Sequence, residues 1–331
     1  CAFPDLSNLF TRHDVTADVE ALQGSIPDEV RSQLSMLAGP LPTVAIGPHC
    51  SKPYACPFMA RCWPALPRHH VGTLFRSKSR AQEFEALGYA TIHDLPGGLG
   101  LNVQAERQRR AVQAGRMIVE GELGHALEQF QPPLAFLDFE TVQFAIPIWD
   151  LCHPYDQIPA QFSCHRERPG GGHDHFEWAP EAPGDPRAEI AARVVEACAG
   201  ARAVVAYNAG FEKGRLEDLA LAVPRHAAAL RDIVSRLVDP LPVVRDHVYH
   251  PDFEGSFSLK TVLPALVPDL GYDVRAIGAG DTASRALTRL VLADPALLPA
   301  DRALTREQLL RYCERDTLAM VRVLSRLREL A

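Results

Sequence analysis

Four acids from residue 138 onward fall where an apolar core belongs. Asp138 and Glu140 close a short apolar run, Leu134-Ala135-Phe136-Leu137-Asp138-Phe139-Glu140, which reads as a buried strand entered after Pro132-Pro133. A spacing of two puts both carboxylates on one strand face, with Leu137 and Phe139 on the other. Glu212 opens a helix just after a second apolar run, Ala203-Val204-Val205-Ala206-Tyr207-Asn208. Asp316 stands four residues after Tyr312 on a long last helix, so the two share a face, with Leu309, Cys313 and Met320 on or beside it. Neighbouring carboxylates repel and are costly to desolvate, and a bound divalent cation is the usual remedy. Each acid also has an ordinary account: a strand end in water, a helix-dipole partner for Glu212, an ion pair of Asp316 with Arg315 or Arg322.

A second group is softer. Cys50, Cys56 and Cys62 recur within His49-Cys50-Ser51-Lys52-Pro53-Tyr54-Ala55-Cys56-Pro57-Phe58-Met59-Ala60-Arg61-Cys62-Trp63-Pro64, where the prolines prevent a regular helix. Such a loop can wrap thiolates around zinc or an iron–sulfur cluster, each of which takes four ligands. The fourth would be His49, Cys1 or a residue upstream of this sequence. Cys152, Cys164, Cys198 and Cys313 are dispersed and read as small apolar residues.

The elements that must position these groups follow from pattern. Residues 1–47 carry two weak helical patterns, the clearer over 28–37, and lack a core of their own, as the tail of an upstream module would. The cysteine loop occupies 48–70. A helical region with a locally basic character covers 71–129: a helix, a turn and a short helix over 71–96, a glycine break at 97–100, and a helical run over 102–129. The stretch 86–95 is similar to small helix-hairpin units that grip a nucleic-acid backbone. From 130 to 331 come the opening strand, an antiparallel hairpin of 158–165 and 175–178, a helix over 185–198, the strand 203–208, and helices over 212–221, 227–237, 259–266, 282–292 and 306–330. Strands, then strand–helix alternation, then helices predict an α/β layer with a mixed sheet.

Length and charge set limits. With 331 residues, 47% hydrophobic and 23% charged, the chain suits an ordinary soluble protein of two domains. Neither a signal peptide nor a membrane span is visible, which points to the cytoplasm and no membrane partner. The opening Cys1 in place of methionine fits a fragment or a trimmed product. A net charge of −7 argues against uniform coating of nucleic acid, yet Arg61, Arg68, Arg76, Lys78 and Arg80, joined by His69 and His70, run without an acid, and Arg107, Arg109, Arg110 and Arg116 follow.

Taken in order, Phe136-Leu137-Asp138-Phe139-Glu140-Thr141, Tyr207-Asn208-Ala209-Gly210-Phe211-Glu212 and Tyr312-x-x-x-Asp316 resemble the three exonuclease motifs of the DnaQ-like, ribonuclease H-fold family. A tyrosine four before the last acid matches its DEDDy branch; the histidine of other members, five before, is Arg311 here. More closely, 138–165 and His250-Pro251-Asp252-Phe253-Glu254-Gly255-Ser256-Phe257-Ser258-Leu259-Lys260 resemble an uncharacterised bacterial family that joins a RecB-type iron–sulfur nuclease module to this domain. The resemblance implies a ribonuclease H-like mixed sheet flanked by helices, and 3′–5′ hydrolysis of DNA or RNA. It implies that Asp138, Glu140, Glu212 and Asp316 hold two Mg²⁺ or Mn²⁺, that Tyr312 orients the attacking water, and that Cys50, Cys56 and Cys62 are the last three ligands of a cluster begun in the upstream module. Thr141, Asn208, Phe211, Ser258 and Lys260 become substrate-contact candidates. Glu212 departs from the pattern, which has aspartate there, so the second metal's geometry is the open point. Two rival readings are a catalytically weakened nucleic-acid-binding or assembly module and a small-nucleotide phosphohydrolase.

Overall fold

The computed structural model describes residues 11–63, 65–270, 280–292, 294 and 296–331. Two compact units emerge, Cys1–Pro67 and Arg68–Ala331. The first holds α1 (Thr16–Gln23), α2 (Ile26–Ala38) and the short α3 (Met59–Cys62), none of which buries a residue.

The second unit takes in the whole helical region after residue 68 together with the α/β layer. It contains α4 (Ala81–Ala86), α5 (Val103–Ala114), β1 (Ile118–Val119), α6 (Leu123–Leu127), β2 (Leu134–Val142), β3 (Ile158–Glu167), β4 (His173–Trp178) and α7 (Arg187–Ala197). Then follow β5 (Ala203–Val205), α8 (Gly210–Ala222), α9 (Ala227–Ser235), β6 (Leu237–Val238), α10 (Pro240–His247), β7 (Val248–Tyr249), α11 (Leu259–Leu266), α12 (Gly280–Val291) and α13 (Pro299–Leu330).

The main sheet has the order β4-β3-β2-β5-β6, with β2, β3 and β4 antiparallel and β5 and β6 parallel to β2. This is the expected mixed sheet flanked by helices, and it is consistent with a ribonuclease H-like arrangement. The pleat of β2 explains its composition. Ala135, Leu137 and Phe139 pack with α7, α8 and α9 through Ile190, Val194, Leu216 and Ile233. Leu134 and Phe136 point the other way, into a core shared with α10, α11 and α13. Both faces are covered, so the strand reads as a nearly continuous apolar run. Asp138 and Glu140 fall on the α13 face.

Several boundaries differ from the sequence reading. The run over 102–129 is not one helix: Gly115 takes a left-handed φ of 62° and caps α5, after which the chain forms β1 and α6. Over 71–96 only α4 is an α-helix; tight turns replace the rest, and no helical hairpin forms. Val71, Leu74, Phe84, Ile92 and Leu95 instead make a small core with Ala105 and Val112 of α5. β5 stops at Val205, short of Asn208. The last helix starts at Pro299 rather than 306, with proline in the first turn, where its missing N–H costs nothing.

Residues 71–129 are stitched into the α/β layer. β1 pairs antiparallel with β7, Ile118 opposite Tyr249 and Val119 opposite Val248. The buried Arg107 donates to Glu120 at 2.8 Å and to the Arg245 carbonyl at 3.0 Å. Gln108, fully buried, donates to the Thr73 carbonyl at 3.0 Å and accepts from Phe75 N at 2.9 Å. Much of the basic character is therefore spent internally. Arg80 pairs with Glu83, Arg109 with Glu106, and Arg68 with Asp252 and Glu254. Among the described residues, no helix is long and apolar enough to cross a membrane.

Candidate active site

Three of the four acids converge. β2 presents Asp138 and Glu140 on its α13 face, opposite Ser163 and Gln161 of β3, and a bulge follows between Glu140 and Thr141. α13 brings Asp316 over them, so that one ligand oxygen from each of Asp138, Glu140 and Asp316 lies within 4.8 Å of the others. Cys313, fully buried one turn from Leu309, supplies a thiol 3.4 Å from Asp138 Oδ2.

Their electrostatics follow from crowding. Burial first, then the charges of Asp316, Glu140 and Glu212, push the Asp138 carboxyl well above the usual range. Glu140 is raised to about 8 by burial and by Asp316, with Lys260 opposing. Glu212, in the first turn of α8 and only 4% exposed, is raised to about 7, mainly by burial. It stands outside the three-carboxylate group, close enough for its charge to act on Asp138. Its Oε2 is buried without a hydrogen-bond partner.

A cleft of about 530 Å³ opens above the carboxylates, lined by Arg76, Asp138, Asn208, Arg245, Lys260 and Asp316 among others. Lys260 Nζ donates to the Tyr312 hydroxyl at 3.1 Å. Burial and the neighbouring carboxylates raise the Tyr312 phenol, so it keeps its proton at neutral pH. Phe75 and Phe257, edge to face at 4.9 Å, form an apolar wall.

Of the substrate-contact candidates, Asn208, Ser258 and Lys260 line this cleft; Thr141 and Phe211 do not. Phe211 turns to the opposite sheet face, against the α7–α9 core, with the Arg215 guanidinium 5.2 Å from its ring. Sequence reasoning missed Arg245 and the residue that sets Asn208. Asp239 accepts from Asn208 N and Ala209 N, each at 3.0 Å, and caps α10 through Leu241 N at 2.8 Å. It thereby holds Asn208 at a left-handed φ of 65°. The Asp239-Pro240 pair is a helix-start signal that could have flagged it.

Cys50, Cys56 and Cys62 line one apolar pocket of about 400 Å³ with His49, Phe58 and Trp63. Among the described residues, two groups of three bring ligand atoms within 4.8 Å of one another, and the cysteine trio is not one of them. It does not present the compact set a single zinc ion requires. Cys1 lies outside the described residues.

The profile of a family described as a domain of unknown function (DUF2779) matches residues 135–258. That span holds Asp138, Glu140 and Glu212 and ends before α11 and α13. No curated protein and no solved structure matches the chain.

Proposed function

We propose that the second unit is a DnaQ-like, DEDDy-type exonuclease that hydrolyses DNA or RNA from the 3′ end with two divalent cations. The observation that carries this reading is the convergence of Asp138, Glu140 and Asp316 beside a cleft that also presents Arg76, Arg245 and Lys260.

The carboxylates suit hard cations. All donors are oxygens, they crowd within 4.8 Å, and burial first and like charge second raise the proton affinity of Asp138 and Glu140, a cost that a bound cation would offset. The unpartnered Oε2 of Glu212 offers a further oxygen nearby. Bound there, Mg²⁺ or Mn²⁺ would activate water and stabilise the leaving oxygen of an in-line displacement. Arg76, Arg245 and Lys260 attract the phosphates, and the Phe75–Phe257 wall offers an apolar surface to sugar or base. Tyr312 accepts from Lys260, which leaves its own proton to donate to a water or a phosphate oxygen. It orients; it does not act as a base.

The test uses the full chain with 3′- and 5′-labelled single- and double-stranded DNA and RNA, in Mg²⁺, Mn²⁺ or chelator, beside Asp138→Ala. Laddering from the 3′ end, abolished by chelator and reduced at least about 100-fold by the substitution, is the expected result. Activity that survives both would sink the proposal. Binding without cleavage favours the weakened binding module, and cleavage of free nucleotides alone favours the small-nucleotide phosphohydrolase.

For the first unit we propose an iron–sulfur cluster, ahead of zinc, in the cysteine-lined pocket. Anaerobically purified protein should be brown, and a colourless protein with stoichiometric zinc would remove the cluster.

A further inference from the structure

The face of the sheet that carries the carboxylates bears a second cluster, on β3 and β4. The strand register sets His165 opposite His175 and Ser163 opposite both Asp138 and Glu177. The two imidazoles stack with centroids 4.5 Å apart, and Glu314 of α13 reaches His175 Nδ1 with Oε1 at 3.7 Å. One ligand atom from each of His165, His175 and Glu314 lies within 4.8 Å of the others.

The hydrogen bonds beneath them form a closed set. His165 Nδ1 meets Thr317 Oγ1 at 2.8 Å, His175 Nε2 meets Ser163 Oγ at 2.9 Å, and Ser163 Oγ meets Thr317 Oγ1 at 2.8 Å. Thr317 donates to the Glu314 carbonyl at 2.9 Å, which uses its only hydroxyl proton. Ser163 must then donate to Thr317, so Ser163 can only accept from His175, and Thr317 can only accept from His165. Both imidazoles therefore carry their proton on the inward nitrogen. This network leaves His165 Nε2 and His175 Nδ1 unused, and His175 Nδ1 faces the Glu314 carboxylate. Metal-ligating histidines are ordinarily fixed in this way, by an N–H donated to a partner behind them. A third imidazole, His173, stands edge-on to His165 at 6.3 Å, and its Nε2 is buried without a hydrogen-bond partner.

We propose that His165, His175 and Glu314 bind one transition-metal ion of the zinc class, at a site separate from the carboxylate group. Two imidazoles and one carboxylate are a borderline donor set that suits zinc and leaves a fourth position for water. The 3.7 Å between His175 Nδ1 and Glu314 Oε1 is near the roughly 3.4 Å that separates two ligands on a tetrahedral zinc ion, so binding needs only a small inward movement. The way in is open, since the side chains of His175 and Glu314 are 23% and 45% exposed. Bound metal would tie α13 to β3 and β4 two residues from Asp316.

Titration of the chelator-stripped full chain with Co²⁺, followed by absorbance and metal analysis, tests this directly. Wild type should bind one ion with the stronger visible bands of a four-coordinate nitrogen and oxygen site, distinct from the faint bands of Co²⁺ at the carboxylates and from any intense near-ultraviolet sulfur charge transfer at the cysteines. His175→Ala and Glu314→Gln, at partly exposed positions the fold tolerates, should each weaken that ion's binding at least about 100-fold. Asp138→Asn should leave it unchanged. Absence of the sulfur-free bands in wild type, or equal affinity in His175→Ala and Glu314→Gln, would overturn the site.

Discussion

Replacing Gly255 with alanine sets two costs against each other in a way the structure separates. Gly255 has a φ of 80°, and a Cβ built on it lies 1.8 Å from the Thr73 carbonyl oxygen, against 3.4 Å for ordinary contact. Backbone must therefore move by about 1.6 Å, the difference of those two distances. Thr73 cannot yield freely, because its carbonyl accepts from buried Gln108, which in turn holds Phe75 N. On the other side, Gly255 N donates to the Tyr249 hydroxyl at 2.9 Å. The left-handed backbone costs alanine roughly 1–2 kcal/mol, and losing one buried hydrogen bond adds roughly 1–3. The expected total is about 2–5 kcal/mol, a fall in Tm on the order of 10 °C for a unit of this size. Gly88 provides the control: its φ is 89° with nothing within 4 Å of an added Cβ, so Gly88→Ala pays the backbone cost alone. Urea and thermal unfolding by circular dichroism of both variants isolate the clash. Equal destabilisation within about 0.5 kcal/mol would refute the close packing of Gly255 on Thr73.

Two further outcomes are expected. In chelator, stability should fall as pH rises from 5 to 8. Glu140 and Glu212, held up to about 8 and about 7, keep protons in the fold that the unfolded chain releases near 4.5, so the folded state binds more protons across that window. Urea midpoints at both pH values, without and with Mg²⁺, check this; a flat metal-free profile would contradict it. Tyr312→Phe should lower kcat by roughly 10–100-fold while leaving Mn²⁺ affinity unchanged, since the phenol orients rather than ligates; a parallel loss of metal binding would count against that role.

How much was legible in the sequence depended on whether a residue's partners are local. A period of two places Asp138 and Glu140 on one face, and a spacing of four places Tyr312 and Asp316 together, without knowledge of the fold. The apolar β2 run announced a strand covered on both sides. His165, His175 and Glu314 gave no such signal. Their meeting depends on the register of the β3–β4 hairpin and on the rotation of α13, neither of which spacing encodes. Phe211 was misplaced because one step along a helix start decides which side of the sheet a ring meets. The run over 102–129 reads as one helix because its propensity is high on both sides of Gly115, and only the left-handed turn there separates α5 from β1.

The β1–β7 ribbon bears on how such a chain can be inherited. Ile118 and Val119 precede the carboxylate strand, yet they pair with Val248 and Tyr249, which follow most of the sheet. Arg107 and Gln104 reinforce the seam by reaching Arg245 and Asp246. A piece cut at 135–258 would carry three of the acids but neither α13 nor the first strand of this ribbon. Segments 68–129 and 240–257 therefore cannot be exchanged independently between relatives. Substitutions at 118 and 119 should track those at 248 and 249, and recombination is expected to respect the whole of Arg68–Ala331 as its smallest exchangeable block.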